Sequence, residues 1–178
     1  MRIVAGKYRH RIIEMTNLET TRETQDKVRM AIFNMIGPYF DGGVCLDLFA
    51  GSGAMGIEAY SRGMDCFHLN DLNKDALNVC KNNCNSLGIK DVTFTNMDYK
   101  DYLKSTNIYF DLIILDPPYK MDNISEILEL TSLILKKDGI IVFEMGIDSK
   151  YPENIASLEA YKNKTYGIKR VVIYRRCD

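Results

Sequence analysis

The sequence contains no apolar run of the roughly 18 residues that a membrane-spanning helix needs. Its first residues, Met1, Arg2 and Ile3, do not lead into the apolar core of a signal peptide. Tryptophan is absent and proline occurs four times, whereas hydrophobic residues make up 46% and charged residues 26% of the 178 positions. These proportions are typical of a globular domain with a buried core. They predict a cytoplasmic protein with no membrane contact.

Histidine and cysteine are too few and too scattered to indicate a metal site. The two histidines, His10 and His68, lie in different segments, and the five cysteines are an odd number. Cys80 and Cys84 have the spacing of a helical pair, but they share an apolar stripe with neighbouring leucines, which favours a structural role. We therefore expect neither disulfides nor a metal.

Basic residues cluster at the two ends of a chain whose net charge is only −1. Four lie within residues 1–13 and six within residues 162–176, and neither segment contains an acid: Arg2, Lys7, Arg9, Arg11, Lys162, Lys164, Lys169, Arg170, Arg175 and Arg176. If the fold brings the ends together, they could form a phosphate-binding face. Solvated surface charge is the alternative.

Apolar strand-like segments alternate with amphipathic helical segments along most of the chain. Strands are predicted at 44–48, 66–69, 92–94, 112–115, 140–143 and 171–174, and helices at about 24–36, 54–62, 73–87 and 124–135. A short hairpin is expected from residues 2–5 and 11–14. This order predicts a single doubly wound α/β domain that binds its ligand at the carboxyl ends of the strands.

A glycine-rich loop, Gly51-Ser52-Gly53-Ala54-Met55-Gly56, follows the first predicted strand and opens a helix. Asp71 lies 20 residues after Gly51, which by spacing alone fits a dinucleotide such as NAD. Asp47, four positions before the loop, would repel a pyrophosphate. It suits S-adenosylmethionine (SAM), which carries an ammonium and a sulfonium. A loop-capping acid is the alternative role for Asp47.

A second motif, Asp116-Pro117-Pro118-Tyr119, follows the fourth predicted strand. Two prolines make the backbone rigid and leave carbonyls without N–H donors. Asp116 and the Pro117 carbonyl can accept the two protons of an exocyclic amine, and Tyr119 can stack on the base that carries it. A strand-ending turn with a core tyrosine is the alternative. Together, the two motifs predict methylation of a base amine.

With these motifs the sequence resembles the bacterial RsmD family of SAM-dependent methyltransferases, which act on a guanine amine in small-subunit ribosomal RNA. The resemblance covers nearly the whole chain. It includes the segments 2–8, 21–22, 26–34 and 46–53, and the Asp-Pro-Pro-Tyr motif. It implies a Rossmann-like fold with a mostly parallel, seven-stranded sheet. Residues 1–38 would form a hairpin and helix extension, and residues 39–178 the SAM-binding catalytic core.

The resemblance also implies roles for individual residues. The catalytic group would be Asp116, Pro117, Pro118 and Tyr119. The SAM site would comprise Thr21, Arg22, Asp47, Phe49, Ala50, Gly51, Ser52, Gly53, Asp71, Leu72, Asp98 and Asp116, with Asp71 on the ribose and Asp98 on the adenine amine. RNA contacts are expected from Arg9, Arg11, Arg22, Lys169 and Arg170. The family usually has proline where this chain has Glu23, glycine where it has His10, and commonly glutamate at Asp71.

Three other functions remain open from the sequence. The Asp-Pro-Pro-Tyr motif serves adenine N6 as well as guanine N2, although the chain has no room for a separate domain that recognises a DNA sequence. An NAD-dependent oxidoreductase is disfavoured by Asp47, and a non-catalytic RNA-binding module by Asp116 and Tyr119. We expect a monomer that acts on ribosomal RNA, in a small-subunit particle where the RNA is already folded.

Overall fold

The computed structural model describes residues 1–16, 26–118 and 121–178. The helices in these ranges are α1 Asp26–Ile36, α2 Ala54–Ser61, α3 Lys74–Ser86, α4 Tyr99–Ser105 and α5 Ile124–Ser132. The strands are β1 Val44–Asp47, β2 Cys66–Asn70, β3 Val92–Thr95, β4 Phe110–Leu115, β5 Leu135–Gly146, β6 Asn154–Ile155, β7 Leu158–Tyr166 and β8 Lys169–Arg176.

The strands form one sheet in the order β3-β2-β1-β4-β5-β8-β7-β6. The first five are parallel, and β8, β7 and β6 are added antiparallel. The chain order reverses between β1 and β4, so this is the switch point at which open α/β sheets bind ligands. The predicted Rossmann-like fold is confirmed. The described residues give eight strands and not seven, because the two-residue β6 extends the edge.

Helices cover both faces of the sheet, as expected. The core on one face includes Ile32 and Phe33 of α1, Ile57 of α2 and Leu77 of α3. The core on the other face includes residues of α4 and α5, such as Leu103 and Leu128. Strand β4 contributes to both cores, because its side chains alternate between the faces and Leu112–Leu115 are all buried. Its unbroken apolarity is therefore explained by a central position.

The predicted N-terminal hairpin is reduced to a single antiparallel bridge between Arg2 and Ile12. Its turn contains two residues with left-handed backbone, Gly6 at φ 85° and His10 at φ 72°. A Cβ at Gly6 would lie 1.8 Å from the Ser61 carbonyl oxygen, so only glycine fits there. The φ of His10 is one that glycine adopts without strain, so the glycine that the resemblance implies at this position would also fit.

A buried carboxylate joins the N-terminal segment to the rest of the fold. Glu58 of α2 accepts hydrogen bonds from the backbone N–H groups of Val4 (2.9 Å) and Ala5 (3.1 Å). It also pairs with Arg29 at 3.1 Å and Arg62 at 2.8 Å. Because removing one partner of a buried pair costs roughly 3–5 kcal/mol, this cluster attaches the N-terminal segment to α2. The single domain over residues 1–178 stays a prediction. The division at residue 38 stays a prediction.

None of the described helices combines the length and the apolarity that crossing a membrane would require.

Candidate active site

A cavity of about 640 Å³ opens at the carboxyl ends of β1, β2, β4 and β5. Both sequence motifs contribute to its wall. The lining residues that the sequence predicted are Asp47, Phe49, Ala50, Gly51, Ser52, Asp71, Leu72, Asp98, Asp116, Pro117 and Pro118. The two motifs are 65 residues apart in the sequence. They meet in one site because parallel strands end at the same edge of a sheet.

The glycine loop occupies the turn between β1 and α2. Gly51 and Gly53 both have left-handed backbone, at φ 57° and 85°. Gly53 does not line the cavity, unlike Ala50, Gly51 and Ser52. A Cβ on Gly53 would lie 3.1 Å from Leu69 and 3.2 Å from the sulfur of Cys80. Its lack of a side chain therefore serves the packing of the loop against β2 and α3, and its predicted contact with the cofactor stays a prediction.

Asp47 is the most deeply buried of the acids that the sequence placed in the cofactor site. It is 2% exposed, and its Oδ2 accepts a hydrogen bond of 3.1 Å from the Gly56 N–H. Burial, together with the charges of Asp116 and Asp71, raises the pKa of this carboxyl to about 8, although the hydrogen bond from Gly56 opposes the increase. A cation bound next to Asp47 would favour its ionised form.

Asp71 connects the end of β2 to the glycine loop. Its Oδ2 accepts a hydrogen bond from the Gly51 N–H at 2.9 Å, and its Oδ1 accepts one from the Asn73 N–H at 2.8 Å. Burial raises the pKa of Asp71, while these two backbone hydrogen bonds oppose the increase. The side chain therefore holds the loop in place in addition to lining the cavity. Its predicted contact with a ribose stays a prediction.

Another part of the cavity is apolar and contains a carboxylate at its edge. Asp98 caps the N-terminus of α4 by accepting a hydrogen bond of 2.9 Å from the Lys100 N–H. The rings of Phe49 and Tyr99 lie 5.5 Å apart, and Met97, Met121 and Ile124 also line the cavity. An apolar slot beside a hydrogen-bond acceptor suits a planar base with an amino group.

Asp116, Pro117 and Pro118 line the cavity directly after β4. Tyr119, the last residue of the motif, lies outside the described residues, as do Thr21 and Arg22. The predicted roles of these three residues remain predictions.

Sequence reasoning missed several residues of the cavity. Glu144 of β5 is 1% exposed and lines the cavity wall. It follows the predicted strand 140–143 directly, and an acid in that position after an apolar run could have indicated a site residue. Asn70, at the end of β2, donates hydrogen bonds to the carbonyls of Leu48 (3.1 Å) and Met97 (3.0 Å). It thereby fixes the ends of neighbouring strands relative to each other. Glu144 thus forms part of the cavity wall, and Asn70 holds the strand ends that surround it.

Lys169 was predicted to contact RNA, but the structure places it in the cavity wall. Its ammonium lies 3.5 Å from Oδ1 of Asp116 and 3.8 Å from Oε1 of Glu144. Arg170 is partly buried, and its guanidinium lies 3.3 Å from the side-chain oxygen of Asn163.

The two basic ends of the chain contact different parts of the molecule. Arg9 and Arg11 are exposed, and Arg11 donates a hydrogen bond of 3.2 Å to the Ser86 carbonyl at the end of α3. Lys162 of β7 donates one of 2.9 Å to the Met35 carbonyl in α1. These contacts put Arg11 beside α3 and Lys162 beside α1. That the two ends form one phosphate-binding face stays a prediction.

The cysteines proposed as a structural pair lie in the core. Cys80 and Cys84 of α3 are both buried, and the Cys80 thiol donates to the Gly51 carbonyl at 2.9 Å. This contact packs α3 against the glycine loop.

A family model described as Conserved hypothetical protein 95 matches residues 1–175. The Haemophilus influenzae protein named ribosomal RNA small subunit methyltransferase D is 34% identical, covering 98% of this chain and 93% of its own. The Bacillus subtilis protein YlbH is 38% identical, with 99% of each chain covered. The chain belongs to the RsmD family. The resemblance read from the sequence is thus confirmed.

Solved structures of family relatives have the same fold. The Escherichia coli protein yhhF is similar with a TM-score of 0.87 and 25% identity, and the similarity covers 99% of this chain and 97% of that one. A conserved hypothetical protein of Streptococcus pyogenes is 39% identical with a TM-score of 0.79, over 83% of this chain and 94% of its own. The RsmD-family fold therefore extends over both motifs and the cavity between them.

Proposed function

We propose that this protein transfers the methyl group of SAM to the exocyclic N2 amine of a guanine in small-subunit ribosomal RNA. One observation carries the proposal: Asp47, the glycine loop and the Asp116-Pro117-Pro118 segment line the same cavity. Relatives named ribosomal RNA small subunit methyltransferase D support both the reaction class and the RNA.

The chemistry of the cavity fits SAM. The buried carboxylate of Asp47 suits the ammonium of the methionine part, and backbone groups of Ala50, Gly51 and Ser52 can approach it closely. Asp71 and Leu72 are proposed to lie along the ribose. Phe49 and the acceptor Asp98 are proposed to hold the adenine. A pyrophosphate beside Asp47 would be repelled, so NAD fits poorly.

The Asp-Pro-Pro segment fits the methyl acceptor. A base amine is a weak nucleophile, because its lone pair is delocalised into the ring. Asp116 and the Pro117 carbonyl are proposed to accept its two protons and to favour the pyramidal amine, an interaction made mainly in the transition state. SAM supplies an electrophilic methyl whose bond to sulfur breaks as its bond to nitrogen forms. Tyr119 would stack on the base, which must first leave its helical stack.

Basic residues from both ends of the chain are proposed to bind the RNA. Arg9, Arg11, Arg22 and Arg170 are proposed to contact phosphates, and the substrate is proposed to be a small-subunit particle. We also propose that the protein works as a monomer in the cytoplasm. No metal enters the proposed reaction, and the described residues contain no group of three or more His, Cys, Asp or Glu suited to a metal ion.

Methyl transfer to RNA from cells that lack this protein tests the proposal. Small-subunit particles and naked ribosomal RNA are each incubated with labelled SAM, and nucleosides are identified by mass spectrometry. We expect N2-methylguanosine with the wild-type protein, formed at least about 100-fold more slowly with Asp116→Ala. Formation of N6-methyladenosine would favour the adenine alternative, and no transfer to either substrate would overturn the proposal.

A further inference from the structure

Lys169 is the first residue of β8 and lies at the edge of the sheet where β4 and β5 end. Because β8 runs antiparallel to β5, its start is next to the end of β5, and Lys169 pairs in register with Gly146. The Ile147 N–H donates a hydrogen bond of 2.8 Å to the Ile168 carbonyl just outside this pair. The backbone at Lys169 is therefore fixed relative to the cavity.

The ammonium of Lys169 is positioned between two carboxylates. It lies 3.5 Å from Oδ1 of Asp116 and 3.8 Å from Oε1 of Glu144. The side chain of Glu144 is fully buried, and those of Asp116 and Lys169 are 17% and 19% exposed. Charges held this far from solvent are screened much less by salt than surface pairs. Salt should therefore weaken this ion pair less than a fully exposed one.

The surroundings of Asp116 oppose its negative charge. Glu144 on β5, Asp47 on β1, Asp71 after β2 and Asp98 before α4 all line the same cavity. Neighbouring carboxylates favour protonation of one another, whereas a cation within contact distance favours the ionised form by about 1–3 pH units. A protonated carboxyl would present an O–H donor on one of its oxygens and so lose accepting capacity. A cation beside Asp116 therefore favours the form of the carboxyl that accepts hydrogen bonds.

We propose that Lys169 is a positioning residue for methyl transfer: its ammonium keeps Asp116 ionised and fixes the direction of that carboxylate at the amine-accepting end of the cavity. This inference rests on the proposed function, in which Asp116 accepts the protons of the target amine. It replaces the expectation that Lys169 binds an RNA phosphate. Glu144 would help to hold the ammonium, which lies 3.8 Å from its Oε1.

The experiment is a pH profile of single-turnover methyl transfer from labelled SAM to small-subunit particles, with cofactor and RNA saturating at each pH. Saturating SAM suppresses the contribution of Asp47 to the profile. For Lys169→Met we expect the midpoint of the acidic limb to move about 1–3 units to higher pH, with the rate recovering above the new midpoint. Lys169→Arg keeps the charge and should retain a midpoint close to wild type.

Lys136→Met is the matched control. Lys136 also pairs with an aspartate, Asp111, at 3.1 Å, but Asp111 lies near the start of β4, roughly 16 Å from Asp116 by strand geometry. Its removal should leave the profile unchanged. Thermal melting with and without SAM establishes that each variant is folded, and Lys169→Gln replaces Lys169→Met, with the same expectation, if the latter is not folded.

The outcomes separate this inference from the proposed function. If the wild-type protein transfers no methyl group to RNA, the proposed function fails. If it does, but Lys169→Met keeps the wild-type pH midpoint, the positioning role is wrong. A variant with an unchanged midpoint, weaker RNA binding and a flatter salt dependence would instead make Lys169 a phosphate contact.

Discussion

The affinity for SAM should increase with pH, because the carboxyl of Asp47 is protonated in the cofactor-free protein at neutral pH. Burial raises its pKa to about 8. The proposed contact between Asp47 and the cofactor ammonium requires the ionised form, of which about one tenth is present at pH 7 and about one hundredth at pH 6. Since apparent affinity scales with the competent fraction, the dissociation constant should fall about tenfold per pH unit between about pH 6 and about pH 7.5.

Isothermal titration calorimetry in buffers of different ionisation enthalpy measures this coupling directly. Binding at pH 7 should release close to one proton, since most Asp47 carboxyls must lose theirs. Asp47→Asn keeps an oxygen that can accept from the Gly56 N–H, so the loop contact seen at 3.1 Å can persist. At about pH 8 the variant should bind SAM more weakly by about 1.5–3 kcal/mol, and its affinity should vary little with pH.

The stability of the cofactor-free protein should show the opposite trend. The pKa of Asp47 in the folded protein lies above the ordinary value of 3.8. Between about pH 4 and about pH 8, Asp47 therefore keeps its proton in the folded state but has lost it in the unfolded chain. The free energy of unfolding therefore falls as pH rises through this window. Asp47→Asn should flatten that decline in denaturant titrations.

Asp98→Asn is the control within the same cavity, and it should weaken binding without removing the pH dependence. A wild-type affinity that does not change between pH 6 and pH 7.5, or an Asp47→Asn variant with the wild-type slope, would refute the assignment of Asp47 to the cofactor ammonium.

Three further predictions concern the amine site, the RNA and the N-terminal turn. Asp116→Ala should lower single-turnover transfer by about 100-fold or more; near wild-type transfer by this variant would mean that the motif serves only as a structural turn. Tyr119→Phe should lose less activity than Tyr119→Ala, because the ring face is kept. Neutralising Arg9 and Arg11 together should weaken RNA binding and reduce its salt slope by nearly one unit for each phosphate that is no longer bound, with SAM affinity unchanged; an unaltered slope would make them surface charge. His10→Gly should stabilise the protein by about 0.5–1 kcal/mol, or a few degrees in melting temperature; an unchanged or lower melting temperature would show that His10 is not strained.

The positions of the two motifs could be predicted from the sequence, because both follow directly on apolar strands. In a parallel sheet, the residues that follow the strands lie at the same edge, regardless of the length and structure of the chain between the strands. Asp47 and Asp116 therefore meet in one cavity. The same reasoning placed Asp71, although its two hydrogen bonds to backbone N–H groups depend on loop geometry that spacing does not specify.

The C-terminal strands were less accessible to sequence reasoning. Strand β7 has a burial pattern in which most residues after Leu158 are partly or fully exposed, so it lacks the apolar run or alternation that predicts a strand. Without β7, the antiparallel hairpin that starts β8 beside the end of β5 could not be foreseen. Lys169 was therefore predicted to contact RNA and not to line the cavity. Helix α4, with only seven residues, is similarly too short to show a helical period.

The charged residues that line the cavity bear on both the stability of the cofactor-free protein and the proposed reaction. Among the described lining residues, Asp47, Asp71, Asp98, Asp116 and Glu144 are acidic, and Lys169 is basic. Burying carboxylates beside one another is unfavourable to folding, so a purely structural role would not explain why they converge. A ligand with two positive charges relieves this repulsion when it binds. The acids would therefore increase the affinity for SAM while destabilising the cofactor-free protein. In the proposed mechanism, Lys169 would supply the compensating charge at Asp116, which has to remain an acceptor.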